Sequence, residues 1–190
     1  MPEYYFDIET YSPEEKPNPE TDKIISIQFQ RIDLRTGKAR GNLVILKEWK
    51  SSEEEIVREF YNKFFANEIN IWDFIMVGHN LKFEFEFLIS KFEKYLNKKL
   101  SSRDLHYKRP HIDIQPIIVL LNDGNFVGAS LDKFTKKKQN GKVISNYYEN
   151  KQYDEIEMYI NDETEAFLEF LQKIKSNIKK LIENDEDKRK

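Results

Sequence analysis

Apolar and polar positions alternate along this chain in short blocks, and the period of each block assigns an element. Residues 3–10, from Tyr4-Tyr5-Phe6 into Asp7-Ile8-Glu9-Thr10, read as a strand. Residues 11–22 carry Pro13, Pro17 and Pro19 and read as a loop. Residues 23–33 alternate from Ile25 onward and predict a second strand. Arg35-Thr36-Gly37-Lys38 predicts a hairpin turn, with Gly41 to Leu46 as its return strand. Ser51-Ser52 followed by Glu53-Glu54-Glu55 predicts a capped helix start, with a helix running to about Asn67 and Ile56, Phe60 and Phe64 on one stripe.

Further along, Phe74 to Gly78 is a short apolar run and predicts a buried strand. Leu81 to Leu96 predicts a second helix, and residues 97–110 read as basic and irregular. Ile112-Asp113-Ile114 starts a short strand, followed by an apolar stretch through Leu121. Ser130 to Phe134 predicts a small helix, residues 135–151 a polar, lysine-rich loop, and Tyr153 to Leu181 a long helix. The order β, β, β, α, β, α, β, α describes an α/β chain: one mixed sheet with helices packed on it. We expect a single domain over residues 1–183 and a frayed charged tail over 184–190.

Composition narrows the function classes. The 190 residues suffice for one domain with a core, and 34% charged residues give a strongly polar surface. A net charge of −3 excludes a basic nucleic-acid coat, so any contact with nucleic acid must come from a local patch. Lys98, Lys99, Arg103, Lys108 and Arg109 form one basic stretch, and Lys136, Lys137, Lys138 and Lys142 another; both also fit a solvated surface. The absence of cysteine excludes disulfides, thiolate metal sites and a cysteine nucleophile. No secretory leader or apolar run of about 18 residues is visible, so a cytoplasmic protein with no membrane contact is expected.

The candidate chemistry begins at Asp7 and Glu9. Residues i and i+2 of a strand share a face, so both carboxylates point the same way. Two adjacent buried carboxylates are costly unless something positive lies between them, and a hard divalent cation such as Mg²⁺ suits oxygen ligands. The alternative is a pair of solvent-facing acids on an edge strand. Asn80 is placed to cap the second helix, with Glu84 one turn in and facing the same cleft. Phe83 and Phe87 are four apart and suit the core. Tyr159 and Glu163 are also four apart and share a face of the last helix.

These motifs carry a resemblance. Phe6-Asp7-Ile8-Glu9-Thr10 resembles the first motif of the DEDD 3′–5′ exonuclease superfamily, the DnaQ-like, RNase H-like group that includes the exonuclease domains of family B DNA polymerases. Gly78-His79-Asn80 through Phe83-Glu84 to Phe87-Leu88 resembles the second motif, and Tyr159 with an acid four residues on resembles the third, in its DEDDy form. His111-Ile112-Asp113-Ile114 and Ser130-Leu131-Asp132-Lys133 also have the look of the family. The chain departs from the pattern where the family usually has Asp: Glu84 stands in the second motif, and the third offers Glu163 in register or Asp162 one residue early.

The resemblance implies an RNase H-like mixed sheet, its first three strands antiparallel, and a two-metal exonuclease using Mg²⁺ or Mn²⁺. It implies Asp7, Glu9, Glu84 and Glu163 or Asp162 as metal ligands and Tyr159 as the group that orients the attacking water. Thr10, Tyr11, Asn80 and Phe83 become candidate contacts to the substrate. The implied partner is a single-stranded DNA 3′ end, with RNA as the alternative, in a standalone repair or processing role, because 190 residues leave no room for a polymerase. The rival class is a catalytically degenerate binding or scaffold module of the same fold.

Overall fold

The computed structural model describes residues 1–14, 16–66, 73–135 and 141–187, with 179–187 as helical backbone only. Lys136, Lys137, Lys138 and Asn67 lie outside the described residues, as do the last three residues of the basic tail.

Strand β1 (Glu3–Tyr11) lies at the centre of the sheet and is covered on both sides. Phe6 and Ile8 point to one face, and Tyr5, Asp7 and Glu9 to the other. Strand β2 (Lys23–Asp33) runs antiparallel to it, pairing Phe6 with Phe29, Asp7 with Gln28 and Glu9 with Ser26. A register irregularity follows between Glu9 and Thr10. The chain then turns at Gly37, whose φ of +72° suits a residue without a side chain, while the Asp33 carboxylate accepts from the Arg35 amide at 2.8 Å.

The return strand expected over Gly41 to Leu46 is β4 (Val44–Lys47), and a two-residue strand β3 (Lys38–Ala39) precedes it at the end of the expected turn, each antiparallel to β2. Between them the Arg40 amide still bonds to the Arg31 carbonyl, and the Gly41 carbonyl accepts from the Gln30 side chain at 2.7 Å rather than from a ladder amide. Strand β5 (Ile75–Gly78) pairs parallel to β1, and β6 (His111–Asp113) parallel to β5. The order is β3-β2-β1-β5-β6, with β4 also on β2.

Helices cover both faces. On one, α1 (Glu53–Phe64) and α2 (Leu81–Leu96) bury Phe60, Phe64, Phe85, Phe87 and Phe92 against Phe6, Ile8 and Phe29. Each such ring contributes roughly 1.5–3 kcal/mol by leaving water. Helix α1 starts as predicted, with the Ser52 side chain accepting from the Glu55 amide, but it ends at Phe64. Residues 97–110, expected to be irregular, contain α3 (Ser102–His106), started by a reciprocal Ser101/Asp104 cap.

On the other face, α4 (Gln115–Leu121) and α6 (Tyr153–Asp187) bury Ile118, Phe167 and Phe170 against Tyr5, Ile32 and Val77. The small helix expected at Ser130 to Phe134 is a 3₁₀ turn over Leu131–Lys133. The expected lysine-rich loop contains a helix, α5 (Val143–Glu149), whose Ile144 packs with Ile25, Ile156, Tyr159 and Ile160. Among the described residues no helix is long and apolar enough to cross a membrane.

Candidate active site

The acids of β1 face a cavity of about 250 Å³ at the end of the strand. Glu9 is 7% exposed, Glu84 4% and Tyr159 6%, while Asp7 and Glu163 are half-buried. Asp7, Glu9 and Glu163 each offer an oxygen, and the three oxygens lie within 4.8 Å of one another. Two elements far apart in sequence thus deliver three carboxylates to one point. The i, i+2 spacing on β1 supplies two, and the first turns of α6 supply the third.

Glu84 enters from the first turn of α2 and shares a hydrogen bond with Asp7. Burial, then the Asp7 charge, raises its carboxyl well above the usual carboxylate range. Its Oε2 is buried and has no hydrogen-bond partner among the described residues. Tyr159 donates its hydroxyl to Glu163, and burial followed by the Glu9 and Glu163 charges raises its phenol far above the ordinary value. It therefore remains a protonated donor at neutral pH. Tyr5 sits at the floor of the same face, its hydroxyl 3.2 Å from Asp7 Oδ2 and its ring 4.8 Å from that of Phe167. The backbone amide of Ile8 holds Asp7 Oδ1 at 3.0 Å.

The structure brings Asp7, Glu9, Glu84, Asn80, Tyr159 and Glu163 to one cavity. It leaves Asp162 exposed and outside the carboxylate group. A helical residue one position from Glu163 is rotated about a quarter turn away, so Asp162 and Glu163 do not face the same cleft. Thr10, Tyr11 and Phe83 do not line the cavity. The Tyr11 hydroxyl donates to Glu149 of α5 at 2.9 Å, and its ring lies 5.1 Å from that of Tyr148. Phe83 packs on Phe87, with centroids 4.9 Å apart.

Asn80 does not cap α2 as its position suggests. It has φ +60° and makes no side-chain cap bond. Asp113, at the end of β6, does so instead, accepting from the Asn80 amide at 2.8 Å and the Leu81 amide at 3.0 Å. The Asn80 side chain is thereby left to the cavity.

The sequence reading named no role for Gln28, Ser26 or Tyr5, and did not place Asp132 or Gly141 at the site. Asp132 and Gly141 line the cavity, and a Cβ at Gly141 would stand 3.5 Å from the Tyr159 hydroxyl. Gln28 and Ser26 lie opposite Asp7 and Glu9 only through the strand register, which the sequence pattern does not give.

No protein-family model matches the chain, and no curated protein matches it. Solved structures do. A family B DNA polymerase from the hyperthermophilic archaeon Pyrobaculum calidifontis superposes with a TM-score of 0.63 over 92% of this chain, at 14% identity. The zinc-bound form of E. coli exonuclease I in complex with single-stranded DNA superposes with a TM-score of 0.61 over 96% of this chain, at 11% identity. The fold is RNase H-like. The chain spans 24% of that polymerase and 42% of that exonuclease I chain. In this RNase H-like frame, the Asp7/Glu9 strand is the central one, and α2 and α6 bring Glu84 and Glu163 to its end from either side of the sheet.

Proposed function

We propose that the chain is a metal-dependent 3′–5′ exonuclease that shortens single-stranded DNA and releases nucleoside monophosphates. The observation that carries this reading is the convergence of Asp7, Glu9 and Glu163 within 4.8 Å at a cavity, with Glu84 packed against Asp7. The donor set fits a hard divalent cation. It consists of carboxylate oxygens, and the buried, unpartnered Oε2 of Glu84 is the kind of atom a cation satisfies. Asp7, Glu9 and Glu163 would hold one Mg²⁺ or Mn²⁺, and Asp7 with Glu84 a second. The chemistry such ions supply is a lowered pKa for bound water and neutralisation of charge on the scissile phosphate and the departing 3′ oxygen.

The chain's own residues supply the rest. Tyr159 keeps its proton and its bond to Glu163, so its oxygen orients the attacking water by accepting a hydrogen bond rather than by removing a proton. Asn80, free of capping duty, faces the cavity with an amide suited to a phosphate or sugar oxygen. Hydrolysis breaks the bond between phosphorus and the 3′ oxygen, and water adds its hydroxyl to the phosphate.

The test is degradation of a 5′-labelled single-stranded DNA oligonucleotide in Mg²⁺ and in Mn²⁺, beside the Asp7→Ala variant and an RNA of the same sequence. The expected result is a ladder that shortens from the 3′ end, falls by at least about 100-fold in the variant, and is faster on DNA than on RNA. Faster loss of the RNA would shift the substrate to RNA. Intact oligonucleotides in both metals, with folded protein, would contradict the enzyme and favour a binding module.

A further inference from the structure

The sheet face that carries Asp7 and Glu9 continues onto β2 as two buried polar side chains. Gln28 lies directly opposite Asp7, and Ser26 opposite Glu9. Both are 0% exposed. Gln28 Nε2 stands 3.3 Å from Asp7 Oδ2 and 3.3 Å from Glu9 Oε1. The Ser26 hydroxyl donates to Gln28 Oε1 at 3.1 Å. A carboxamide has two N–H hydrogens and one acceptor oxygen. Here each hydrogen is directed to a different acid, and the acceptor is taken by the serine.

We propose that Gln28 is a positioning residue for the cation-holding acids, with Ser26 fixing the direction of its amide. The proposal rests on the reading of the site as a cation site. A buried carboxamide is costly unless its hydrogen bonds are made, and Gln28 makes all of them with the site or with Ser26. A single donor group bridging Asp7 and Glu9 sets the separation and orientation of two carboxylates that would otherwise repel. Because the amide is neutral, it does this without cancelling the negative charge that attracts the cation. Lysine at the same place would put an ammonium between the two acids and compete directly with the metal. Outer partners of this kind typically change metal affinity about 10–100-fold.

The experiment is Mn²⁺ titration of the full chain, free Mn²⁺ being read by its paramagnetic resonance signal, with thermal melts in EDTA alongside. Gln28→Met keeps the length and removes both donors. The expected result is a folded protein with Mn²⁺ affinity lowered about 10–100-fold. Ser26→Ala shifts affinity in the same direction by less, and it carries the test if Gln28→Met does not fold. Gln28→Lys is expected to melt above wild type in EDTA and to bind no Mn²⁺ at concentrations that saturate wild type.

Wild-type Mn²⁺ affinity in folded Gln28→Met and Ser26→Ala would overturn the proposal and leave the cation site standing. Wild-type affinity in Gln28→Lys would also overturn it. A wild type that binds no Mn²⁺ would overturn the cation site and the proposal together. Mn²⁺ binding lowered by these variants in a protein that cleaves no DNA would support the role of Gln28 while sinking the exonuclease.

Discussion

Glu84 is the residue whose surroundings are most at odds with its charge. Burial and the neighbouring Asp7 raise its carboxyl in the metal-free fold. An acid with a raised folded value binds more protons folded than unfolded, so stability falls as pH rises above the unfolded value of about 4.5. The metal-free chain is therefore expected to lose stability between pH 5 and pH 8, and Glu84→Gln to lose much less. Urea unfolding in EDTA at the two pH values measures this; parallel losses in both proteins would contradict it. At this scale Asp7, Glu9, Tyr159 and Glu163 were legible because their spacing fixes which face they share. Which of Glu163 and Asp162 faces the β1 acids follows from the helix rotation that the α6 packing imposes. Gln28 escaped because its role depends on strand register, which hydrophobic alternation alone does not give.

At the scale of elements, the start of α2 depends on a distant strand. Helix starts leave unsatisfied amides, and here Asp113 from β6 accepts two of them, those of Asn80 and Leu81. Its Oδ1 also accepts from the Gln115 amide at 2.9 Å, at the start of α4. Asp113→Ala removes all three bonds and is expected to cost about 1–2 kcal/mol, the upper part of the range for a lost cap. Thermal and urea unfolding measure it; a change below about 0.3 kcal/mol would contradict the assignment.

The long helices and β1, β2 and β5 were legible because each has a sustained period and clear stop signals. The helices α3 and α5 were not. They have five and seven residues, too few for helix formation without tertiary support. Helix α5 is held by contacts no local pattern reveals, such as Ser145 donating to the Ser12 carbonyl and Tyr148 to Glu48. Strand β3 was hidden because its two residues overlap the end of the turn that Gly37 signals.

At the scale of the whole molecule, the site exists only because β1, α2 and α6 meet. The buried Lys91 ties α2 to α1 and to the start of β2: it bonds to the Asp22 carbonyl and lies 3.5 Å from Glu53, whose other oxygen accepts from Tyr95 at 2.5 Å. In the first basic stretch Lys98, Lys99, Arg103 and Lys108 are exposed and Arg109 is half-buried. Lys108 pairs with Asp104 at 2.6 Å, Lys99 with Glu93 at 3.3 Å, and Arg109 stacks on Phe65 at 4.9 Å. The parallel pairing of β5 with β1 and of β6 with β5 was not legible, since periodicity does not order strands in a sheet.

The central claim is that Glu163, brought from α6 to the β1 acids, completes a hydrolytic metal site, and that its exposed neighbour takes no part. The most direct measurement is the rate of mononucleotide release from a single-stranded DNA 3′ end in saturating Mn²⁺ by wild type, Asp162→Asn and Glu163→Gln. The account predicts that Asp162→Asn matches wild type within about twofold while Glu163→Gln falls by at least about 100-fold. Equal rates for wild type and Glu163→Gln, or a loss confined to Asp162→Asn, would contradict it.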